Sequence, residues 1–287
     1  MKKSISPLRY PGGKTKLYDK VSNIIISNKL QNCTYVEPFA GGAGLALSLL
    51  MDGIVSNIFI NDYDYHVYAF WYSILNFCDE FISLIKNTEI TINQWHIQKE
   101  IYNNYNDFSI LEVGFSFFFL NRTNHSGILK AGPIGGYKQT GNYLINCRFN
   151  KENLIKLIKS IHQYRKHIKI YNLDAKYFIT NNINRIKHNC FVNFDPPYFE
   201  RGPELYTNFY KENNHIELHN AILKCNKPWI VTYDSCEFIK NLYKDFISED
   251  IILSYSAGNI KYGKEVLIYG PNVLSYQSNI NMTAISI

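Results

Sequence analysis

The chain has little cysteine, and none of it is arranged in pairs. Its six cysteines, at positions 33, 78, 147, 190, 225 and 236, include no Cys-x-x-Cys, which argues against a zinc ribbon or a disulfide scaffold and leaves reduced thiols. No apolar run approaches the roughly 18 residues of a membrane span, so no membrane partner is expected. The opening Met1-Lys2-Lys3-Ser4 leads into Pro7-Leu8-Arg9 without an apolar signal segment, and a cytoplasmic location is expected. Tandem repeats and low-complexity tracts are absent. So is a metal-ligand pattern: His215 and His219 stand four apart on a predicted helix, but a third ligand and the H-E-x-x-H order are missing, and no metal is expected.

What is present is enough apolar residue to bury a full core. Of 287 residues 46% are hydrophobic and 19% charged, which fits one large domain or a domain carrying an insertion. The formal charge of +6 allows a polyanionic partner without requiring one. Short apolar runs at Thr34-Tyr35-Val36, Asn57 to Ile60, Ile168 to Tyr171, Cys190 to Phe194, Trp229 to Thr232 and Val266 to Ile268 read as strands. Ala43 to Leu50, Leu154 to Ile161 and His215 to Lys224 read as helices between them. This alternation predicts an α/β fold with a mostly parallel, doubly wound sheet. It breaks between about Asp64 and Asn150, where an aromatic-rich helical stretch precedes the Gly-rich segment Asn121 to Gly141. Residues 64–150 are therefore expected to be an insertion in a domain made of 1–63 and 151–287.

Two motifs carry chemistry. Glu37-Pro38-Phe39-Ala40-Gly41-Gly42-Ala43-Gly44 follows the first strand and opens a helix, so its glycines let backbone N–H groups approach a nucleotide-like ligand. Leu47 stands where the dinucleotide fingerprint wants its third glycine, and the acid Glu37 beside the turn suits a cationic ligand better than a pyrophosphate. Asp62, ending the second strand, is placed to accept from ribose hydroxyls. The other motif, Asn193-Phe194-Asp195-Pro196-Pro197-Tyr198, ends the fourth strand on two prolines that cannot join the ladder. Asp195 and its neighbouring carbonyls become acceptors on a stiff corner, a fixed distance from Tyr198. Tyr233-Asp234-Ser235 after the fifth strand reads as the cap of the next helix.

With Arg9-Tyr10-Pro11-Gly12-Gly13-Lys14 at the start, these motifs occur in an order that resembles the D12 class, the Dam-like alpha group, of DNA adenine N6-methyltransferases, over nearly the whole length. The resemblance implies a Rossmann-like fold that binds S-adenosyl-L-methionine as methyl donor, with a mainly helical target-recognition region inserted before the DPPY strand. Tyr10 and Lys14 match the motif closing over the methionine end of the cofactor. Glu37, Phe39 and the turn Ala40-Gly41-Gly42 match the loop against methionine and adenosine; Asp62 matches the ribose acid. Asp174 matches the acid facing the cofactor adenine, and serves equally as a helix N-cap. Asp195, Pro196 and Tyr198 match the catalytic motif, Asp195 also bordering the cofactor. Asp195 and the Pro196 carbonyl would take the two amino hydrogens of a flipped adenine stacked on Tyr198.

The insertion is then expected to bind double-stranded DNA. Arg122 suits guanine and Asn124 adenine in the major groove, with a phosphate contact the equal alternative for Arg122. Lys130, Lys138, Arg148 and Lys151 supply phosphate contacts or a solvated surface. GATC enzymes of the family carry N-R-x-x-x-N-G-L here, whereas this chain has Ser126-Gly127-Ile128, so GATC specificity is not implied. A monomer or weak dimer is expected, and a cognate restriction endonuclease is a further partner the resemblance allows. The alternatives are methylation of another planar amine, cytosine N4 or glutamine, and a non-catalytic DNA-binding protein on the same fold. Asp rather than Asn or Ser at 195 and the Arg9 to Lys14 motif favour adenine; the full motif set favours catalysis.

Overall fold

The computed structural model describes residues 5–9, 14–200, 210–257, 259–271 and 273–275. Tyr10 lies outside the described residues. The chain divides into two compact units, one containing the described residues of 13–62 and 167–287 and the other those of 5–12 and 63–166.

The first unit is built on a seven-stranded sheet. Its strands are β1 (Thr34–Glu37), β2 (Asn57–Asn61), β3 (Ile168–Tyr171), β4 (Cys190–Phe194), β5 (Trp229–Asp234), β6 (Ser248–Ala257) and β7 (Asn259–Tyr269), in the order β3-β2-β1-β4-β5-β7-β6. Strands β1 to β5 pair in parallel, while β7 runs antiparallel to both β5 and β6. This is the doubly wound α/β sheet that the alternation predicts. Every residue of β1, β4 and β5 is buried, as a parallel strand covered on both faces requires. β6 was not among the predicted strands. It is one of the two edge strands of the sheet and pairs with β7 alone; its opening Ser248-Glu249-Asp250 is polar and hides it from a search for closed apolar runs.

The helices of this unit are α1 (Tyr18–Ser27), α2 (Gly44–Met51), α8 (Ala175–Asn181), α9 (Glu212–Ile222) and α10 (Glu237–Leu242). Phe178 and Ile179 of α8 and Leu218 and Ile222 of α9 join Val36, Val192, Phe194 and Val231 in one buried cluster. That packing fixes where the strand ends lie.

The second unit is helical: α3 (Tyr65–Asn76), α4 (Cys78–Asn87), α5 (Ile92–Asn103), α6 (Ile110–Thr123) and α7 (Lys151–Gln163). A capping box starts α6, with Ser109 and Glu112 satisfying each other's backbone amides. Along α6, Phe115, Phe117, Phe118 and Phe119 are buried, and Phe118 stacks on Phe70 of α3 with ring centroids 5.7 Å apart. Gly114 makes that approach possible, because a Cβ there would meet the Ala69 carbonyl oxygen at 2.5 Å. On α7 the buried Leu154, Ile158 and Ile161 recur at helical spacing. Among the described residues no helix is long and apolar enough to cross a membrane.

Candidate active site

Strand order reverses at β1, which is flanked by β2 and β4, and the carboxyl ends of the strands beside such a reversal form a crevice in open α/β sheets. Acids gather there. Glu37 is the last residue of β1, Asp62 follows β2, Asp174 follows β3, Asp195 follows β4 and Asp234 ends β5.

The turn after β1 is shaped by backbone bonds. Ala40 N–H donates to Asn61 O at 2.9 Å, Ala43 N–H to Ala40 O at 2.7 Å, and Gly41 and Ala43 both take φ of 45°. Ala43 is the N-cap of α2 and supplies no side-chain cap, so the helix begins with its amides directed at the turn. Asp62 Oδ2 accepts from Gly41 N–H at 2.8 Å, tying the turn to β2. Asn61, fully buried, donates to the carbonyls of Pro38 and Leu173 and accepts from Leu173 N–H, knitting together the loops after β1 and β3. Nothing in the local pattern of NIFIN marks that amide as a bridge. Phe39 is half-buried edge-on to Tyr210 at 6.3 Å. Asp174 caps α8, its Oδ1 accepting from Lys176 N–H at 3.0 Å and Tyr177 N–H at 3.1 Å.

Glu37 is 5% exposed and accepts from the Tyr35 hydroxyl at 3.1 Å. Burial pushes its pKa up to about 8; the Tyr35 hydrogen bond opposes the shift and the Asp195 charge adds to it. A positive charge placed beside such a group would favour its ionised form. With Asp62 as a second acceptor and backbone amides at the α2 terminus, the residues present fit a nucleoside ligand bearing positive charge.

Asp195 is held from two directions. Its Oδ1 accepts from Thr232 Oγ1 at 2.9 Å and pairs with Lys14 Nζ at 3.0 Å. Burial raises its pKa, and Lys14 and Thr232 oppose that. Lys14, matched in the sequence to the methionine end of a cofactor, places its ammonium against the Asp195-Pro196-Pro197-Tyr198 segment: it also donates to the Tyr198 hydroxyl, lies 4.6 Å from the centre of the Tyr198 ring, and is 3.7 Å from Glu265 Oε2. Pro196 and Tyr198 are both buried. The loop after Tyr198 is gripped by Asp234, whose two oxygens accept from Phe199 N–H at 2.9 Å and Glu200 N–H at 2.7 Å. This corrects the helix-cap reading of Asp234. The following helix α10 has Cys236 as its N-cap and no side-chain cap at all.

The sequence model of the D12 class N6 adenine-specific DNA methyltransferases matches residues 10–255. The chain belongs to this family. It is an adenine-specific DNA methyltransferase, and family membership implies an S-adenosylmethionine-type methyl donor and a DNA substrate. It is 24% identical over 204 residues to the Type II methyltransferase M.MjaIII of Methanocaldococcus jannaschii, covering 67% of this chain and 68% of that one. Among solved structures it is similar to a putative RNA methyltransferase of Pyrococcus horikoshii, with a TM-score of 0.42, 8% identity and coverage of 88% and 80% of the two chains. It is also similar to the rRNA methyltransferase aviRa of Streptomyces viridochromogenes, with a TM-score of 0.37, 14% identity and coverage of 92% and 88%.

The methyltransferase's helical unit holds the remaining sequence-predicted residues. Asn121, buried at the end of α6, accepts from Arg9 N–H at 2.8 Å and donates to the carbonyls of Arg9 and Gly127. Asn124 is fully buried: its amide oxygen accepts from Trp95 Nε1 at 2.7 Å and its nitrogen donates to Ile128 O at 3.1 Å. Arg122 donates through Nε to Arg148 O at 2.8 Å, and through a second nitrogen to the same carbonyl. Burial, together with the neighbouring charges of Arg9 and Arg148, lowers the Arg122 pKa to about 10. Lys130, Lys138 and Arg148 are exposed. Lys151 instead donates to the carbonyls of Lys86 and Thr88, each at 2.8 Å. Arg9 joins the arginine group through tertiary contacts alone: its guanidinium donates to Asn124 O at 3.1 Å.

Among the described residues no cluster of three or more His, Cys, Asp or Glu could hold a metal ion. His215 turns Nδ1 to the Tyr233 hydroxyl at 2.9 Å, and burial lowers its pKa to about 4.

Proposed function

We propose that the acids and turn at the strand ends hold S-adenosylmethionine and that Asp195, Pro196 and Tyr198 hold a flipped adenine of double-stranded DNA. The observation that carries this reading is Asp195 at the end of β4, fixed by Thr232 and Lys14, with its charge felt by the buried Glu37 at the end of the adjacent β1. Bound there, the donor supplies an electrophilic methyl group on a sulfonium. Glu37 faces its positive charge, Asp62 accepts from ribose hydroxyls, the amides of the Ala40-Gly41-Gly42 turn and α2 border it with Phe39, and Asp174 borders its adenine while capping α8. Tyr10 is assigned to its methionine end.

The adenine amino nitrogen is a weak nucleophile because its lone pair is delocalised into the ring. Asp195 and the Pro196 carbonyl accept its two N–H hydrogens and draw it toward a pyramidal geometry. The carboxylate also stabilises positive charge developing on the nitrogen, and it is the group in contact with the proton that must leave. Positioning supplies the larger part of the effect. The base is unreachable inside a duplex, so it is extruded and stacked on Tyr198.

The helical unit is the DNA-recognition element in this reading. Burial lowers the pKa of Arg9 and of Arg122, the charge of Arg148 adds to both shifts, and such a group is relieved by a phosphate. Lys130 and Lys138 add exposed positive charge. Asn124 organises the loop that presents them. The Type II designation of the Methanocaldococcus relative fits a cognate restriction endonuclease as partner, with the enzyme a monomer or weak dimer in the cytoplasm.

The test is incubation with labelled S-adenosylmethionine and random-sequence DNA, followed by sequencing of the modified bases. Methyl groups on adenine N6 at a defined site are expected; cytosine or protein labelling sinks the assignment. Asp195→Ala is expected to abolish transfer while cofactor binding persists, and full turnover by that variant removes Asp195 from the site.

A further inference from the structure

Glu265 is a buried carboxylate beside the catalytic loop that the methyl-transfer chemistry leaves unused. It lies on β7 opposite Asp234 in the β5–β7 register and is 1% exposed. Neither of its oxygens makes a hydrogen bond of normal length among the described residues. Lys14 Nζ is 3.7 Å from its Oε2. Burial raises its pKa; Lys14 opposes that shift most, the Asp195 charge adds to it, and the Tyr198 hydroxyl opposes it.

Lys14 is the other half of the problem. Its ammonium lies 4.6 Å from the Tyr198 ring centre and 3.0 Å from Asp195 Oδ1. An adenine stacked on Tyr198 with its amino group on Asp195 needs that ring face and that acceptor. The ammonium therefore stands in for the substrate amine and must yield when the base arrives. A buried ammonium yields only toward another negative group, because leaving it uncompensated is strongly unfavourable. We propose that Glu265 is a positioning residue that draws the Lys14 ammonium off Asp195 and the Tyr198 face as the target adenine enters. Closing the 3.7 Å separation to hydrogen-bond distance needs a side-chain shift of about 1 Å. Without the Glu265 charge, Lys14 stays on Asp195, and apparent DNA affinity falls with the fraction of enzyme whose base site is open.

This inference rests on the function proposed above. Its test uses the full-length enzyme, S-adenosylmethionine and duplex carrying the site mapped by sequencing, with 2-aminopurine at the target position as a second readout of base extrusion. Glu265→Gln is expected to lower kcat/KM for DNA at least tenfold and to diminish the 2-aminopurine signal, while cofactor affinity stays within twofold. In a Lys14→Gln background the same substitution is expected to change kcat/KM less than twofold, because the residue it acts through is gone. Glu265→Asp, charged but one methylene shorter, is expected to give an intermediate loss, and carries the comparison should the glutamine variant lose cofactor binding through misfolding. Parental kcat/KM in both Glu265 variants overturns the proposal, as do equal fold losses in the two backgrounds, which would make Glu265 a structural residue independent of Lys14. A parent enzyme that methylates no DNA fails the proposed function and this inference with it.

Discussion

At the scale of single residues, burial gives the motif acid Glu37 a raised pKa, and the cofactor contact proposed for it would then be linked to a proton. A carboxyl held near pKa 8 is mostly protonated at pH 6, yet a bound cation favours its ionised form. Cofactor affinity is therefore expected to climb as pH rises from 6 to 8, approaching tenfold per unit, with a proton released on binding. Calorimetry in two buffers of different ionisation enthalpy measures that proton, and Glu37→Gln is expected to bind more weakly with a flat pH profile. A parental profile that is flat removes Glu37 from contact with the cation. Stability moves oppositely: the native state keeps a proton that the unfolded chain sheds above about 4.5, so the cofactor-free protein loses stability as pH rises toward 8. The position of Glu37 is legible in the sequence, since an acid between an apolar run and a glycine turn stands out. Its protonation is not, because that depends on burial in the folded sheet, with the Tyr35 hydroxyl opposing the shift and the Asp195 charge adding to it.

At the scale of elements, the same limit separates what the pattern reveals from what it hides. β1, β2, β4 and β5 read directly as apolar runs, β1, β4 and β5 being buried throughout, whereas β6 opens on the polar Ser248-Glu249-Asp250 and does not. Asp234 reads locally as a cap because it stands between a strand and a helix. Only the adjacency of β4 and β5 brings its carboxylate to the amides of Phe199 and Glu200. Hydrogen bonds to a charged acceptor contribute about 1.5–3 kcal/mol each, enough to hold the loop in one geometry. Asp234→Asn keeps the volume but removes the charge and one acceptor. It is expected to lower kcat for methyl transfer ten- to a hundredfold while equilibrium titration shows cofactor affinity within about threefold of the parent. An unchanged kcat separates the clamp from catalysis.

At the scale of the whole molecule, a net charge of +6 becomes informative only when the exposed basic groups are told apart from the occupied ones. Lys151 and Arg122 satisfy backbone carbonyls, while Lys138 and Arg148 are exposed. Arg148 offers a clean probe, since Arg122 is anchored to its carbonyl oxygen and not to its side chain. Arg148→Ala thus removes one charge and leaves the anchor in place. Each phosphate that the protein no longer neutralises reduces the slope of log K against log salt by about one, through counterion release. Arg148→Ala and Lys138→Ala are therefore each expected to weaken binding to all DNA sequences alike and to flatten the salt dependence, measured by titration across a salt series. Arg122→Ala, which frees the Arg148 carbonyl and loosens the loop, is expected to lower methylation with no change in sequence preference when the modified adenines of a site library are sequenced. A preference relaxed at one base position, by the about 1–3 kcal/mol of a bidentate contact, would make Arg122 a reader of base edges instead.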